Sequence, residues 1–309
     1  MFLGFDVGGS QCRFEWLPAG AAPGGDAASV QPAVQGIEVA SAGLATALRQ
    51  AAAIAVPTAA VCALAGVGER ALADALVAGL RAHGITFPVA IVGDVLAAAA
   101  AGIAEGPGLL LWSGTGSFAI ARGHDGRLHR VGGRGYLLGD QGSAFDLVRR
   151  AATAVLLAID GLGPATALTE ALTEAFAAPS PARLGAVLQR LVPGEVASKL
   201  GVVLQVAARG DLVAGEVLTA GIDALAMLGN AAVRTAGLDW QALPVAFGGG
   251  VLTGAPALAE ALAERLRTFG AASPRTIAPR AAAHGAAWLA QGWHLGQEPQ
   301  RSWVQRVAI

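Results

Sequence analysis

Asp6 stands near the end of an apolar run, Phe2 to Val7, and is followed by Gly8, Gly9 and Ser10. Glycines without Cβ atoms let backbone N–H groups approach an anion closely. A carboxylate beside such a turn suits hydrated Mg2+, which takes few carboxylates and keeps most of its waters. The same residues also suit a tight hairpin in which Asp6 only caps the turn. A second turn of this plan follows at Ser113-Gly114-Thr115-Gly116-Ser117, between Leu109–Trp112 and Phe118–Ala121. Its three hydroxyls are candidate donors to phosphate oxygens, and two such turns facing each other would clamp a polyphosphate. A G-x-x-x-x-G-K-[ST] run is absent from the sequence, and the single lysine, Lys199, lies in a helical stretch, so the P-loop class is excluded.

Asp94 follows the apolar run Val89 to Val92 and precedes the uncharged stretch Val95 to Ala104. It suits a helix N-cap. It equally suits a carboxylate at the carboxyl end of a parallel strand, where α/β folds bind ligands and where it would accept the proton of an attacking alcohol. Residues 132–143, Gly-Gly-Arg-Gly-Tyr-Leu-Leu-Gly-Asp-Gln-Gly-Ser, carry more glycine than a connection needs. That suggests a backbone lying against a ligand, with Asp140 accepting from hydroxyls, although Asp140 or Ser143 could simply cap the next helix. Gly248-Gly249-Gly250 then offers a ledge without side chains, suited to a flat purine or to close helix–strand packing. Gly66-Val67-Gly68-Glu69-Arg70-Ala71 fits the dinucleotide pattern G-x-G-x-x-A, so an NAD(P)-binding oxidoreductase is the outlying alternative.

These residues need a scaffold, and 309 residues with 54% hydrophobic and 14% charged content are enough to build one. A net charge of −1 without long runs of either sign points to no nucleic-acid partner and no membrane surface. Only Cys12 and Cys62 are present, and His83, His124, His129, His284 and His294 form no ligand-spaced pair. Disulfide frameworks and zinc sites built within one chain are therefore not expected. The opening apolar strand lacks a basic leader pattern, so the expected location is the cytoplasm.

Alternation predicts a hairpin, Phe2–Val7 with Cys12–Leu17. Short buried strands are expected at 61–65, 89–92 and 243–247. Helices are expected over 146–159, 165–176, 181–191, 195–208, 212–235 and 255–268, with 20–36 as a loop. Strands alternating with helices predict an α/β fold with a largely parallel sheet.

The order Phe5-Asp6-Val7-Gly8-Gly9-Ser10, Asp94, Ser113-Gly114-Thr115-Gly116-Ser117, Gly139-Asp140-Gln141-Gly142-Ser143 and Gly248-Gly249-Gly250-Val251 resembles the BadF/BadG/BcrA/BcrD ATPase family. Within that family it is most similar to the N-acetylglucosamine kinases of the actin-like, sugar kinase and Hsp70 superfamily. The resemblance implies two ribonuclease-H-like domains flanking a nucleotide cleft, 1–106 joined by about 285–309, and 107–284. It implies ATP and Mg2+, a homodimer, and phosphorylation of an amino sugar, N-acetylglucosamine or glucosamine, at its 6-hydroxyl.

By the same resemblance, Gly8, Gly9 and Ser10 form the first phosphate loop and Gly114, Thr115 and Gly116 the second. Gly248, Gly249 and Gly250 meet the adenosine. Asp6 holds Mg2+ through water, Asp94 is the catalytic base, and Asp94, Gly133 and Asp140 contact the sugar. Arg134 stands where these kinases usually carry tryptophan and Gln141 where they carry glutamate. Residues 18–48 lack the expected asparagine, which keeps other hydroxylated substrates open. The family also contains activator ATPases whose cysteines hold an iron–sulfur cluster, and these are the alternative function.

Overall fold

The computed structural model describes residues 1–8, 12–67, 70–103, 106–272, 274–277, 281–296 and 307–308. Gly9, Ser10, Gly68 and Glu69, which the sequence singles out, lie outside the described residues. The chain divides into two compact units, one of 1–107, 122–128 and 277–309, the other of 108–121 and 129–276.

The first unit is built on a sheet of order β3-β2-β1-β4-β5, from β1 (Phe2–Val7), β2 (Cys12–Leu17), β3 (Gly25–Ala27), β4 (Ala59–Leu64) and β5 (Val89–Gly93). β1 and β2 pair antiparallel, while β1, β4 and β5 run parallel. The predicted hairpin forms with the expected strands. The predicted loop at 20–36 instead contains β3 and a short helix, α1 (Pro32–Gln35). Three residues pairing with β2 are too few to give an alternation that sequence could reveal.

Alternation along β1 sends Leu3, Phe5 and Val7 into a core with α2 (Ile37–Ile54) and α3 (Arg70–Ala82). Gly4 and Asp6 take the other face. There α13 (Ala281–His294) lies directly on β1 and against α4 (Asp94–Ile103). A Cβ on Gly4 would overlap the Ala283 carbonyl oxygen and the Ala287 nitrogen, and one on Gly285 would overlap the Ala97 carbonyl oxygen. The alanines of α4 and α13 are thus a consequence of backbone approaching backbone, since larger side chains would hold the layers apart.

The second unit carries the order β10-β9-β6-β7-β8, from β6 (Gly108–Ser113), β7 (Ser117–Arg122), β8 (Leu128–Gly132), β9 (Val245–Gly248) and β10 (Arg275–Thr276). β6 runs parallel to β9. One face of this sheet, with Leu109, Leu111, Ala119, Val245 and Phe247, packs into a core shared with the helices. These are α5 (Ala144–Ile159), α6 (Leu168–Ala175), α7 (Leu184–Leu188), α8 (Pro193–Ala197), α9 (Leu200–Ala208), α10 (Leu212–Thr235), α11 (Gly250–Gly254) and α12 (Pro256–Arg267).

α10 matches its expected limits, with Asp211 capping it by accepting from the Ala214 N–H. By length and composition it could also cross a membrane, and its buried face meets α5, α9, α12 and β6.

Two expected helices are broken. The span 181–191 begins as a 3-10 turn at Pro181–Arg183 before α7, and 195–208 divides around Ser198 and Lys199 into α8 and α9. The helix expected from about 255 to 268 forms as α12, starting at Pro256 because the proline ring pushes Ala255 to φ −126°, out of the helical region. β8 is a strand that the sequence pattern does not predict.

Candidate functional site

In the first unit Asp6 lies on the sheet face that α4 and α13 cover, and Asp94 is the first residue of α4, immediately after β5. Parallel β5 ends and the helix begins without a connecting loop. Asp94 Oδ1 accepts from the adjacent Val95 N–H at 2.9 Å, and the residue is itself the first of α4 and not a cap ahead of it. Its charge reaches Asp6. Burial, and after it the charge of Asp94, push the Asp6 carboxyl up to about 6, while Arg13 pulls it down. Arg13 is the register partner of Asp6 across β1 and β2, and it also faces Asp26 at 3.8 Å. The carbonyl of Gly8 accepts a hydrogen bond from the Ser29 hydroxyl.

Two half-buried carboxylates that repel each other are a favourable place for a divalent cation, which would remove that repulsion. Among the described residues no three His, Cys, Asp or Glu side chains converge on one point. A cation here would therefore rest on few carboxylates and keep its waters, as Mg2+ prefers.

The second unit gathers its predicted residues around the β6–β7 turn. The Gly114 N–H donates to the Gly116 carbonyl at 2.8 Å, closing the turn, and the Ala144 N–H donates to the Gly114 carbonyl at 2.9 Å. A Cβ on Gly114 would lie 3.7 Å from the Gly250 nitrogen, so the β6–β7 turn and the start of α11 are neighbours. Gly249, at φ +86°, lies against the Ser113 backbone, where a side chain would overlap the Ser113 carbonyl. The three glycines expected between strand and helix reduce to this one: Gly248 closes β9 opposite Trp112, and Gly250 already belongs to α11. Gly249 thus answers to close packing, and Gly250 is the exposed edge of the ledge.

Two of the three turn hydroxyls do not face a ligand, contrary to expectation. Ser113 Oγ donates to the Gly142 carbonyl at 2.9 Å and Ser117 Oγ donates to the Gln141 carbonyl at 2.7 Å. Both serines are buried. Their protons are committed to the 132–143 loop, so of the three expected donors Thr115 alone stays a candidate.

That loop is rigidly tied. The Gly142 N–H donates to Asp146 Oδ2 at 2.9 Å, and Asp146 takes Arg149 at 2.6 Å and Arg150 at 2.8 Å. Burial alone would raise the Asp146 carboxyl, but the Gly142 N–H and the two guanidinium groups outweigh it and hold the group below the usual carboxylate range. Ser143, not Asp140, caps α5 by accepting from the Asp146 N–H.

Asp140 is buried at 9% exposure and adopts φ +58°, an uncommon left-handed conformation for a residue with a side chain. Burial raises its carboxyl, while backbone hydrogen bonds from Gly135 and Ser117 and the charge of Arg130 oppose the rise. A Cβ on Gly116 would lie 2.8 Å from Asp140 Oδ2. Gly133 is held by Arg130, whose guanidinium donates to its carbonyl.

The sequence analysis misses Arg130 and Asp146. For the first only the Asp125-Gly126 turn was available as a signal, since Leu128-His129-Arg130-Val131 does not alternate. The arginines at i+3 and i+4 from Asp146 on α5 were the signal for the second.

The model of the BadF/BadG/BcrA/BcrD ATPase family matches residues 3–290. An N-acetylmuramic acid/N-acetylglucosamine kinase of Clostridium acetobutylicum is 37% identical over 89 residues, and that stretch spans 29% of this chain and 29% of that relative. A candidate N-acetylglucosamine kinase of Chromobacterium violaceum superposes with a TM-score of 0.73 at 25% identity, covering 93% of this chain and 97% of the other. A ROK family glucokinase from Streptomyces griseus, solved with glucose and AMPPNP, superposes at 0.53 with 17% identity, covering 94% and 99%. The two-unit α/β architecture is that of these sugar kinases, and with a family match running through both units, the chain belongs to the BadF/BadG/BcrA/BcrD ATPase family.

Proposed function

We propose that this protein is an ATP-dependent kinase that phosphorylates the 6-hydroxyl of an amino sugar in the cytoplasm, N-acetylglucosamine or glucosamine, as a homodimer. The observation that carries the reading is Asp94, placed at the carboxyl end of a parallel strand and near enough to Asp6 to help hold its carboxyl at about 6. The similarity to a kinase of N-acetylmuramic acid and N-acetylglucosamine supports the amino-sugar class. The likeness to a glucokinase solved with AMPPNP supports ATP as donor.

Phosphoryl transfer depends mostly on placement and charge stabilisation, so few side chains need react. Asp94 accepts the proton of the 6-hydroxyl as its oxygen attacks the γ-phosphorus, the bond from that phosphorus to the bridging oxygen breaks, and ADP leaves. Asp140 and the backbone at Gly133 orient the sugar. The N–H groups of Gly8, Gly9 and Ser10, and of Gly114, Thr115 and Gly116 with the Thr115 hydroxyl, meet phosphate oxygens. The ledge at Gly248, Gly249 and Gly250 lies along the adenosine. Asp6 is the residue that would hold hydrated Mg2+, whose charge, when present, neutralises the phosphates.

The test is ADP release by the purified protein with ATP and Mg2+ over N-acetylglucosamine, glucosamine, N-acetylmuramic acid and glucose, with product position read by NMR. A 6-phosphorylated amino sugar is expected, and no release with any of the four would overturn the proposal. The activator-ATPase alternative gains nothing from the geometry, because Cys12 and Cys62 are both buried and burial pushes both thiols up, Cys12 to about 12.

A further inference from the structure

Arg130 has no role in the transfer just described, yet it stands between the two sugar-contacting positions of the second unit. It lies on β8 with its guanidinium 5.7 Å from the Phe118 ring centroid, and Phe118 in turn stacks on Trp112 at 5.9 Å and 4°. This ladder across β8, β7 and β6 fixes the guanidinium plane, as arginine on an aromatic face does. One terminal nitrogen donates to the Gly133 carbonyl. The same guanidinium occupies the space that a side chain at position 133 would need, since a Cβ there would overlap it. Its charge acts on Asp140, and its Nε is buried with no acceptor among the described residues. A buried N–H without an acceptor is costly, and Arg130 carries one beside the Gly133 carbonyl.

We propose that Arg130 is a positioning residue for the sugar, holding the Gly133 segment and steering the Asp140 carboxylate so that both contact groups meet the substrate in one geometry. The inference rests on the proposed sugar kinase function and deepens it. The charged groups acting on Asp140 are Arg130 and Asp146, and the backbone of Gly135 and Ser117 bonds to it. Removing Arg130 leaves burial and the like charge of Asp146 against the ionised form.

The test compares Arg130→Met, which keeps the stem over Phe118 and removes the charge, with Arg130→Lys, which keeps the charge and loses the planar fork. Met is expected to raise KM for the sugar by ~10- to 100-fold, the range that misplacement of a bound group produces, while KM for ATP stays within about twofold. Lys restores part of the loss. The Asp140 carboxyl, followed by 13C NMR against an Asp140→Asn reference, titrates at higher pH in Arg130→Met than in the wild type. That readout needs no turnover.

If Arg130→Met fails to fold by circular dichroism, Arg130→Lys carries the test, with a sugar KM raised and an ATP KM unchanged. A sugar KM within about twofold of wild type, parallel rises in both KM values, or an unmoved Asp140 titration would each overturn the role of Arg130. A wild type that phosphorylates no sugar overturns the proposed function itself, a result read on a different protein sample.

Discussion

Gly116 and Asp140 are in contact across the β6–β7 turn: a Cβ on Gly116 would lie 2.8 Å from Asp140 Oδ2 and 3.2 Å from its Cγ. The backbone of the β6–β7 turn therefore defines one wall of the carboxylate's position. Gly116→Ala displaces that carboxylate. The expected outcome is a sugar KM raised by ~10-fold or more, following from misplacement by a fraction of an ångström. Steady-state kinetics with the sugar and ATP varied in turn decide it, and an unchanged sugar KM would refute the contact's importance.

Asp94→Asn keeps a side chain of the same shape and removes the proton acceptor. Turnover should fall by a factor on the order of 10² to 10⁴, the range of general-base contributions. Because the Asp94 charge helps hold the Asp6 carboxyl up, the variant's Asp6 should titrate at lower pH than in the wild type. Retained turnover would remove Asp94 from the mechanism.

Asp6 makes stability fall as pH rises. Its folded-state value of about 6 lies above the unfolded 3.8, so the folded protein binds the proton more tightly. The stabilising contribution of the protonated group is full below about pH 4 and is lost as pH climbs through 6. The difference amounts to on the order of 3 kcal/mol as an upper figure. Asp6→Asn should accordingly raise Tm by several degrees at pH 7.5 in metal-free buffer and change little at pH 4. Calorimetry that finds equal shifts at both pH values would contradict this.

Gly285→Ala forces a methyl group into the Ala97 carbonyl and to 2.9 Å from the Ala101 nitrogen. Helix backbone cannot yield as a side-chain end can. The cost should be about 1–3 kcal/mol or more, the scale of overpacked cores. Urea unfolding followed by circular dichroism should show the first transition moved to lower denaturant. An unchanged midpoint would mean that α13 can slide on α4.

Much of the fold is legible along the chain, because the signals are local. The β1–β2 hairpin announces itself through the alternation of Cys12–Leu17, whose residues are buried and partly buried in turn. Three-and-four spacing delimits α10, and the structure adds the Asp211 cap. The carboxylates Asp6, Asp94 and Asp140 were likewise visible, each beside glycines or at a strand end. β3 and β8 were not, since a three-residue edge strand and a five-residue strand with a charged middle lack a readable period.

Residue type and short-range spacing thus determine which turns are glycine-built, where the acids sit, and that the chain is an α/β protein of this family. Tertiary structure alone decides how those groups are used. Ser113 and Ser117 look like phosphate donors, yet their protons go to carbonyls 29 and 24 residues away. Arg130 gains its place from the ring of Phe118 and the carbonyl of Gly133, and Gly4 and Gly285 owe their identity to helices packed upon them. The physical reason is that a polar proton or an empty Cβ position is assigned by whatever atom lies within three or four ångströms, and that neighbour is chosen by folding.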